Sequence, residues 1–249
     1  IDVRSEMVPS WIGDRIVFAA AAAAFAASLV LYGSVRTRPA LQARVETSWG
    51  SVLAGIHFIR SRPAILGAIS LDLFAVLLGG ATALLPVYAR DILVVGPWGL
   101  GLLRSMPAAG ALVTALWLTY RPLARHTGRR MFQAVAIFGI ATIGFGLSRN
   151  LALSMGCLAI LGAADMVSVF IRQTLVQIET PDEMRGRVSA VNSVFIGASN
   201  ELGEFESGLV AAAIGTVASV VVGGVGTLLV AALWAWWFPA LRERDRLLS

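Results

Sequence analysis

Residues 216–238 read TVASVVVGGVGTLLVAALWAWWF and contain no charged side chain. An apolar segment of this length is enough for an α-helix to cross about 30 Å of hydrocarbon. Trp234, Trp236 and Trp237 stand at its end, and tryptophan is typical of the interface between membrane and water. The segment therefore predicts a transmembrane helix that ends in an aromatic anchor.

The whole chain shares this apolar character. Hydrophobic residues make up 57% of the 249 positions and charged residues only 14%, and the mean hydropathy is +0.77. A soluble domain carries about 25% charged residues. No water-soluble fold could bury so much apolar surface, so the composition predicts that the lipid bilayer is the solvent for most of the chain.

Six clear apolar segments and one weaker segment predict an all-α membrane protein with about seven transmembrane helices. Each segment is close to the ~20 residues that a membrane-spanning helix needs. The weaker segment is the sixth, because it contains three glutamates. The predicted spans are residues 16–35, 64–88, 99–120, 131–147, 151–171, 189–213 and 216–238.

The distribution of arginine predicts the orientation. If the segments after the first, third and fifth spans and the C-terminal tail are cytoplasmic, that side holds fifteen basic residues and the other side five. The fifteen include Arg172, Arg185 and Arg187, which are assigned to the loop after the fifth span. Because basic residues accumulate in cytoplasmic loops, we expect a multi-pass protein of the bacterial plasma membrane with a cytoplasmic C-terminus. The same clustering accounts for the net charge of +5, so nucleic acid is not an expected partner.

The longest connection between spans covers residues 36–62. Trp49, Val52, Leu53, Ile56 and Ile59 recur within it at helical spacing. The pattern predicts a helix that lies along the inner membrane surface. A helix that tethers two bundles is the preferred interpretation, and a partner-binding site is the alternative.

Few charged side chains fall within the predicted spans. An ionised side chain in hydrocarbon is costly, so such groups normally face the interior of a bundle or a water-filled cavity. The first, fourth and seventh spans carry none in their cores, which predicts an outer layer around an inner cavity. The charged residues inside the other spans are Asp72, Arg104, Asp165, Glu201, Glu204 and Glu206.

Small and polar residues form one face of the sixth span. Their spacings of four, three, four and four align on one side of a helix: Ser193, Gly197, Asn200, Glu204 and Gly208. Glu201 flanks this face and lies near the membrane midplane. Such a face suits contact with water and close approach of another helix. We therefore expect Glu201 and Glu204, with Asn200 beside them, to be the leading candidates for proton coupling or substrate contact.

Asp72 and Asp165 lie at a similar depth, about 10–12 Å from the cytoplasmic side. Burial and a like-charged neighbour favour the protonated form of a carboxyl group, so either residue could exchange a proton during transport. The alternative is structural, because each could cap a neighbouring helix or pair with an arginine. Arg104, in the third span, could be an ion-pair partner at an outer gate or a ligand for an anionic substrate.

Enzymatic motifs are absent from the sequence. It contains no nucleotide-binding loop, no HExxH, no zinc-spaced set of Cys and His, and no nucleophile elbow. The sequence therefore predicts no enzyme activity, no cofactor and no metal site. Active transport by this chain would be driven by an ion gradient, with uptake or a non-transporting role as the alternatives to export.

Several motifs resemble a known family. Residues 71–80 read LDLFAVLLGG, residues 84–88 read LLPVY, residues 179–188 read ETPDEMRGRV and residues 197–208 read GASNELGEFESG. Together they closely resemble major facilitator superfamily exporters of the enterobactin-exporter type. The resemblance extends over nearly the whole chain.

The resemblance implies helices 6–12 of a twelve-helix transporter. Residues 1–35 would then hold the last helix of the N-terminal half, residues 36–63 the cytoplasmic central loop, and residues 64–249 the C-terminal six-helix bundle with its tail. A missing N-terminal half is the implied partner, because such transporters bind substrate between two halves. The implied function is proton-driven efflux of small organic molecules that are siderophore-like or drug-like.

The superfamily also carries a glycine- and arginine-rich motif in cytoplasmic loops. Two triplets are assigned to it: Gly128, Arg129 and Arg130, and Arg185, Gly186 and Arg187. Arg121 and Arg125 stand where the family has Gly and Asp before the first triplet. This departure argues against the first triplet acting as a gate lock.

Overall fold

The computed structural model describes residues 10–34, 49–121, 123 and 126–245. The chain divides into two compact units, Ile1–Glu46 and Thr47–Ser249. The first unit contains α1 (Ser10–Ser34). The second contains α2 (Trp49–Ser61), α3 (Pro63–Leu78), α4 (Leu85–Val87), α5 (Pro97–Tyr120), α6 (Thr127–Leu147), α7 (Leu151–Glu179), α8 (Asp182–Ile214), α9 (Thr216–Trp237) and α10 (Pro239–Arg242). Residues 36–48 of the predicted central loop lie outside the described residues.

The helices have the lengths that a membrane protein requires. Five segments in the described part are long and apolar enough to cross a membrane: Pro63–Ile92, Pro97–Tyr120, Thr127–Leu147, Leu151–Glu179 and Thr216–Trp237. The 33 residues of α8 are also long enough, but their charged side chains lower the hydropathy. With the 25 residues of α1, a helix stands at each of the seven predicted places. The all-α membrane fold is confirmed, with seven as an approximate count.

The predicted surface helix corresponds to α2, which packs on the protein itself. A side chain at Gly55 would lie 3.1 Å from the carbonyl oxygen of Arg187 in α8. Ile59 is buried in a cluster with Val188 and Val191. The helical spacing is therefore confirmed, and α8 covers part of the face that was predicted to lie on the membrane.

The second predicted span is broken, whereas the sequence predicts a continuous helix over residues 64–88. Regular helix ends at Leu78, a 3₁₀ turn follows at Ala81–Leu84, and a π-helical turn covers Tyr88–Ile92. Gly79 and Gly80 form the break. A side chain at Gly80 would lie 2.7 Å from the carbonyl oxygen of Gly203, so only glycine allows this approach of the chain to α8.

Two helix boundaries differ from the predicted ones. α7 continues to Glu179, so Arg172 lies within a helix and not in a loop. α8 begins at Asp182, so the triplet at 185–187 belongs to its first turns, and the triplet at 128–130 likewise belongs to the start of α6. Hydropathy detects only the part of a helix that lies in hydrocarbon, whereas α8 is about 50 Å long and exceeds the bilayer core.

α5 and α7 approach closely enough for their backbones to touch. A side chain at Gly110 of α5 would collide with the carbonyl group of Ala159, and one at Gly162 of α7 with that of Pro107. Small residues at such crossings gain van der Waals contact between helices, which is the main source of association in lipid. This contact fixes α5 against the part of α7 that carries Asp165.

The three tryptophans at the end of α9 have different environments. Trp236 and Trp237 are exposed, as an aromatic anchor requires. Trp234 is buried, and its Nε1 donates a hydrogen bond of 2.8 Å to Ser70 Oγ in α3. The anchor prediction is therefore wrong for Trp234, because the helical repeat turns it toward α3.

Two apolar clusters occupy the opposite ends of the second unit. One includes Ala68, Leu71, Met131, Leu175 and Trp234. The other includes Leu84, Tyr88, Phe145, Leu158 and Val220. Between them, halfway along the helices, α3 and the break that follows it, α5, α7 and α8 present most of the residues that line a cavity. α9 contributes no residue to the lining of this cavity and α6 only Phe138, as expected for outer helices.

The segment 239–245, here called the tail clasp, holds the start of α6. The backbone N–H of Gly128 donates a hydrogen bond of 3.1 Å to the carbonyl oxygen of Arg244. A side chain at Gly128 would collide with the carbonyl group of Leu241. The Arg244 guanidinium also pairs with the Glu179 carboxylate at the end of α7. The clasp thus joins the start of α6 to the C-terminal ends of α7 and α9.

Candidate functional site

A cavity of about 340 Å³ lies between the two apolar clusters. α7 contributes Asp165 to its wall, and α8 contributes Asn200 and Glu204. Thr82 supplies a hydroxyl group from the 3₁₀ turn that follows the break in α3. The remaining lining residues are small or apolar: Val76, Gly79, Gly80, Pro107, Ala108, Ala111, Phe138, Leu161 and Gly162.

The broken backbone at Gly79 and Gly80 forms part of the cavity wall. Irregular backbone at membrane depth is tolerated where it is buried in protein or lines a water-filled cavity. In transporters, interrupted helices commonly mark the binding site. The position of this break therefore favours a cavity that holds water or a solute over one that holds lipid.

The charged side chains that line the cavity are all acidic. The charged side chains among its lining residues are Asp165 and Glu204, and no arginine or histidine from the described part of the chain accompanies them. Carboxyl groups accept hydrogen bonds when ionised and donate one when protonated. The cavity can therefore hold protons, cations or molecules rich in hydrogen-bond donors.

A buried ion pair lies close to this cavity. Arg172 Nη2 on α7 is 3.1 Å from Asp72 Oδ2 on α3, and the two side chains are 3% and 8% exposed. Arg172 Nη1 donates a hydrogen bond of 3.3 Å to Asn192 Oδ1 on α8. One guanidinium thus connects three helices. The sequence leaves two interpretations of Asp72, proton exchange and a structural pairing with an arginine. The contact with Arg172 is the structural pairing.

A second and much smaller cavity adjoins the ion pair. Its volume is about 10 Å³, and Asp72, Asp165 and Ser168 contribute polar groups to it. Because Asp165 also lines the large cavity, it stands between the two spaces. Asp165 is close enough to Asp72 and Arg172 for both of their charges to act on it.

The predicted site residues therefore separate into two groups. Asp165, Asn200 and Glu204 meet at the large cavity, and Asp72 lies directly behind Asp165. Glu201 and Arg104 are exposed and do not belong to the lining. Their roles stay predictions.

The two arginine triplets lie away from the cavity. Arg185 pairs with Asp182 at 2.6 Å in the first turns of α8, and its Nε donates a hydrogen bond to the Gln177 carbonyl group. Gly128 is held by the tail clasp. Both triplets thus occupy helix starts, where they fix the ends of neighbouring helices.

Arg172 is the residue that the sequence analysis missed. The predicted fifth span ends at Ile171, so the prediction places Arg172 in the following loop. A usable signal was present, because Asp72 requires a partner at its depth and Arg172 follows an apolar run in a neighbouring helix. Arg172 is 2% exposed, so it cannot serve as a topological loop charge. The arginine bias between the two sides of the membrane survives its removal from the count.

Comparison with known proteins identifies the family. A family model described as "transmembrane secretion effector" matches residues 5–247. An enterobactin exporter, EntS, of Citrobacter koseri is 30% identical over 231 residues, which cover 90% of this chain and 53% of that protein. EntS proteins of Escherichia coli O1:K1 and of Shigella boydii are 28% identical over 216 residues, 86% of this chain and 51% of each relative. The chain thus spans about half the length of the curated relatives it matches, and these relatives are transporters and not enzymes.

Proposed function

The chain belongs to the transmembrane secretion effector family, a group of the major facilitator superfamily, and we propose that it is the C-terminal part of a secondary active transporter. Its activity would be proton-driven export of small organic molecules across the bacterial inner membrane. The substrates would be siderophore-like or drug-like, and the relatives are named as exporters of enterobactin.

The observation that carries this proposal is the acidic cavity halfway along the helices. Asp165 and Glu204 face one space that is bounded by a broken helix, and few other charges enter the apolar spans. A solute with hydroxyl or ammonium groups would bind the carboxylates, and a proton would compete for the same oxygen atoms. Competition of this kind links proton entry to substrate exit.

The domain organisation is part of the proposal. Residues 1–35 would contribute the last helix of an N-terminal half, residues 36–63 the central loop, and residues 64–249 the C-terminal bundle. α5 is the least buried of the five candidate membrane spans, which supports a partner bundle in contact with it. The arginine bias supports a cytoplasmic C-terminus.

Efflux from cells tests this function. Cells would express this chain alone, the chain together with the N-terminal half of an EntS relative, or the complete relative as a positive control. Loaded fluorescent catechols and cationic dyes would serve as probes. We expect efflux that collapses with the proton gradient, and only where both halves are present.

Substitutions then connect efflux to the cavity. Asp165→Asn and Glu204→Gln should each reduce gradient-driven efflux by at least tenfold, because each removes a proton acceptor from the cavity. Glu183→Gln, on the exposed start of α8, is the matched control and should leave efflux unchanged. Undiminished efflux in the double variant Asp165→Asn with Glu204→Gln would show that these carboxyl groups do not couple proton entry to efflux.

A further inference from the structure

We propose that Asp72, Asp165 and Arg172 form one proton-binding cluster, in which two carboxyl groups share a single proton beside one guanidinium. The cluster would exchange this proton with the large cavity through Asp165. Its existence does not depend on transport, whereas its role in coupling rests on the proposed function.

The first argument is the charge balance of the cluster. Asp72 and Arg172 are buried and in contact, and Asp165 lies within electrostatic reach of both. With both carboxyl groups ionised, the cluster would carry an uncompensated negative charge away from bulk water, which is costly. With one proton bound, the remaining carboxylate and the guanidinium balance.

Among the residues that the structure describes, no other charged group supplies this balance. α6 faces the small cavity with Ala134, Val135 and Phe138 only, and α9 has no titratable side chain. α5 lines the large cavity with Pro107, Ala108 and Ala111, and its Arg104 is exposed. His57 and Arg60 of α2 are also exposed. α8 adds neutral Asn192 at Arg172 and the acidic Glu204 at the large cavity. Its Arg187 lies in the first turns of the helix, where its guanidinium contacts Met184, so α8 brings no compensating cation to the cluster.

The second argument is the small cavity itself. Ser168 Oγ is buried and has no hydrogen-bond partner within the described part of the chain, and Ser168 is one of the cavity's lining residues. The volume of about 10 Å³ is close to that needed for one water molecule, and Asp72, Asp165 and Ser168 offer three polar partners. A water molecule there would link the two carboxyl groups, so a proton could pass from one to the other.

The geometry also explains how a proton could act on the helices. Arg172 holds α3 through Asp72 and α8 through Asn192. When the proton moves from Asp165 to Asp72, the guanidinium loses its charged partner on α3 and gains one on its own helix. Arg172 is therefore a positioning residue that converts proton location into the strength of the contact between α3 and α7.

Infrared spectroscopy of the full chain in lipid tests the cluster directly. A protonated carboxyl group has a C=O stretch that a carboxylate lacks, so differences between variants count protonated groups. At neutral pH, Asp165→Asn and Asp72→Asn should each lose the signal of one carboxyl group. Arg172→Gln should gain one, because two carboxyl groups then remain without a cation. Arg172→Lys should match the wild type, and Glu183→Gln is the control for an exposed glutamate.

The Asp72→Asn variant decides between sharing and independent protonation. If Asp165 held its proton independently of the pair, Asp72→Asn would keep the signal, and that result would overturn the proposal. Retention of the signal in Asp165→Asn would overturn it as well. Circular dichroism establishes that each variant is folded, and the two aspartate variants decide the matter even if Arg172→Gln fails to fold. Absent efflux with the expected spectra would reject the proposed function and leave the cluster intact.

Discussion

Arg172 is the residue whose replacement should disturb the protein most. Arg172→Met removes the cation beside the buried Asp72 carboxylate, and breaking one side of a buried ion pair costs about 3–5 kcal/mol. The cost should shrink at acidic pH, because the folded variant must bind an extra proton at Asp72 in place of the arginine, and binding a proton costs less when protons are abundant. The stability of the variant should therefore fall as the pH rises, as measured by the free energy of unfolding in detergent.

Arg185→Met provides the comparison for that measurement. Arg185 pairs with Asp182 at the exposed start of α8, where an ion pair contributes less than about 1 kcal/mol. The double variant Arg172→Met with Asp72→Asn should recover much of the lost stability, because no unpaired charge from the pair remains. Equal losses for Arg172→Met and Arg185→Met would contradict the structural role of the buried pair.

The sequence located the acidic residues because charge is conspicuous in an apolar span. Rarity alone identifies Asp72 and Asp165, and the polar face of the sixth span adds a second reason for Glu204. Hydropathy could not find Arg172, because an arginine beside the end of an apolar run looks the same whether it faces water or a buried carboxylate. The distinction depends on which helix packs alongside, and a single sequence does not contain that information.

Glycines in α5 provide a sharp test of helix packing. Gly110→Ala would drive a methyl group into the Ala159 backbone, which cannot move aside without shifting α7. We expect a loss of about 1–3 kcal/mol in the free energy of unfolding, as for other overpacked contacts. Gly101→Ala in the same helix meets nothing within 4 Å and should be neutral or slightly stabilising, since alanine favours helix. Similar behaviour of the two variants in denaturant titrations would contradict the close α5–α7 contact.

Helices were easier to predict than their interruptions. Long apolar stretches identify α5, α6, α7 and α9 because each must satisfy its backbone internally in lipid. The break at Gly79 and Gly80 escaped prediction, because glycine pairs also occur in continuous membrane helices. What decides the outcome is the approach of Gly203 and Ser207 from α8, which leaves no room for side chains.

The cavity predicts a division of the molecule into wet and lipid-facing surfaces. Both variants would be made in a Cys157→Ser background. Asn200→Cys would place a thiol at the cavity, and Leu229→Cys would place a thiol on the exposed side of α9. A charged maleimide should label the first at least ~10-fold faster in lipid vesicles, because thiolate formation requires water. Equal labelling rates would mean that the cavity excludes water or that α9 does not face lipid.

The whole assembly was only partly predictable. Composition and arginine bias indicate membrane insertion, because they reflect the solvent of each segment and not its neighbours. The pairing of α3 with α8 and α9, and the clasp over α6, depend on contacts between residues far apart in the sequence. These contacts arise from the fit of small residues and single hydrogen bonds, such as Thr227 Oγ1 to the Ala75 carbonyl group.

The tail clasp also bears on the order of events during biosynthesis. Thr127 Oγ1 donates to the carbonyl oxygen of Arg244, a residue 117 positions later in the chain. At about 5–20 residues per second, a ribosome needs roughly 6–23 s to cover that interval. Throughout it, α6 has entered the membrane with its first turn lacking the carbonyl groups that hold it in the finished protein. A segment translated 117 residues later thus closes the start of α6, and a nascent chain arrested before Arg244 would remain open at that end.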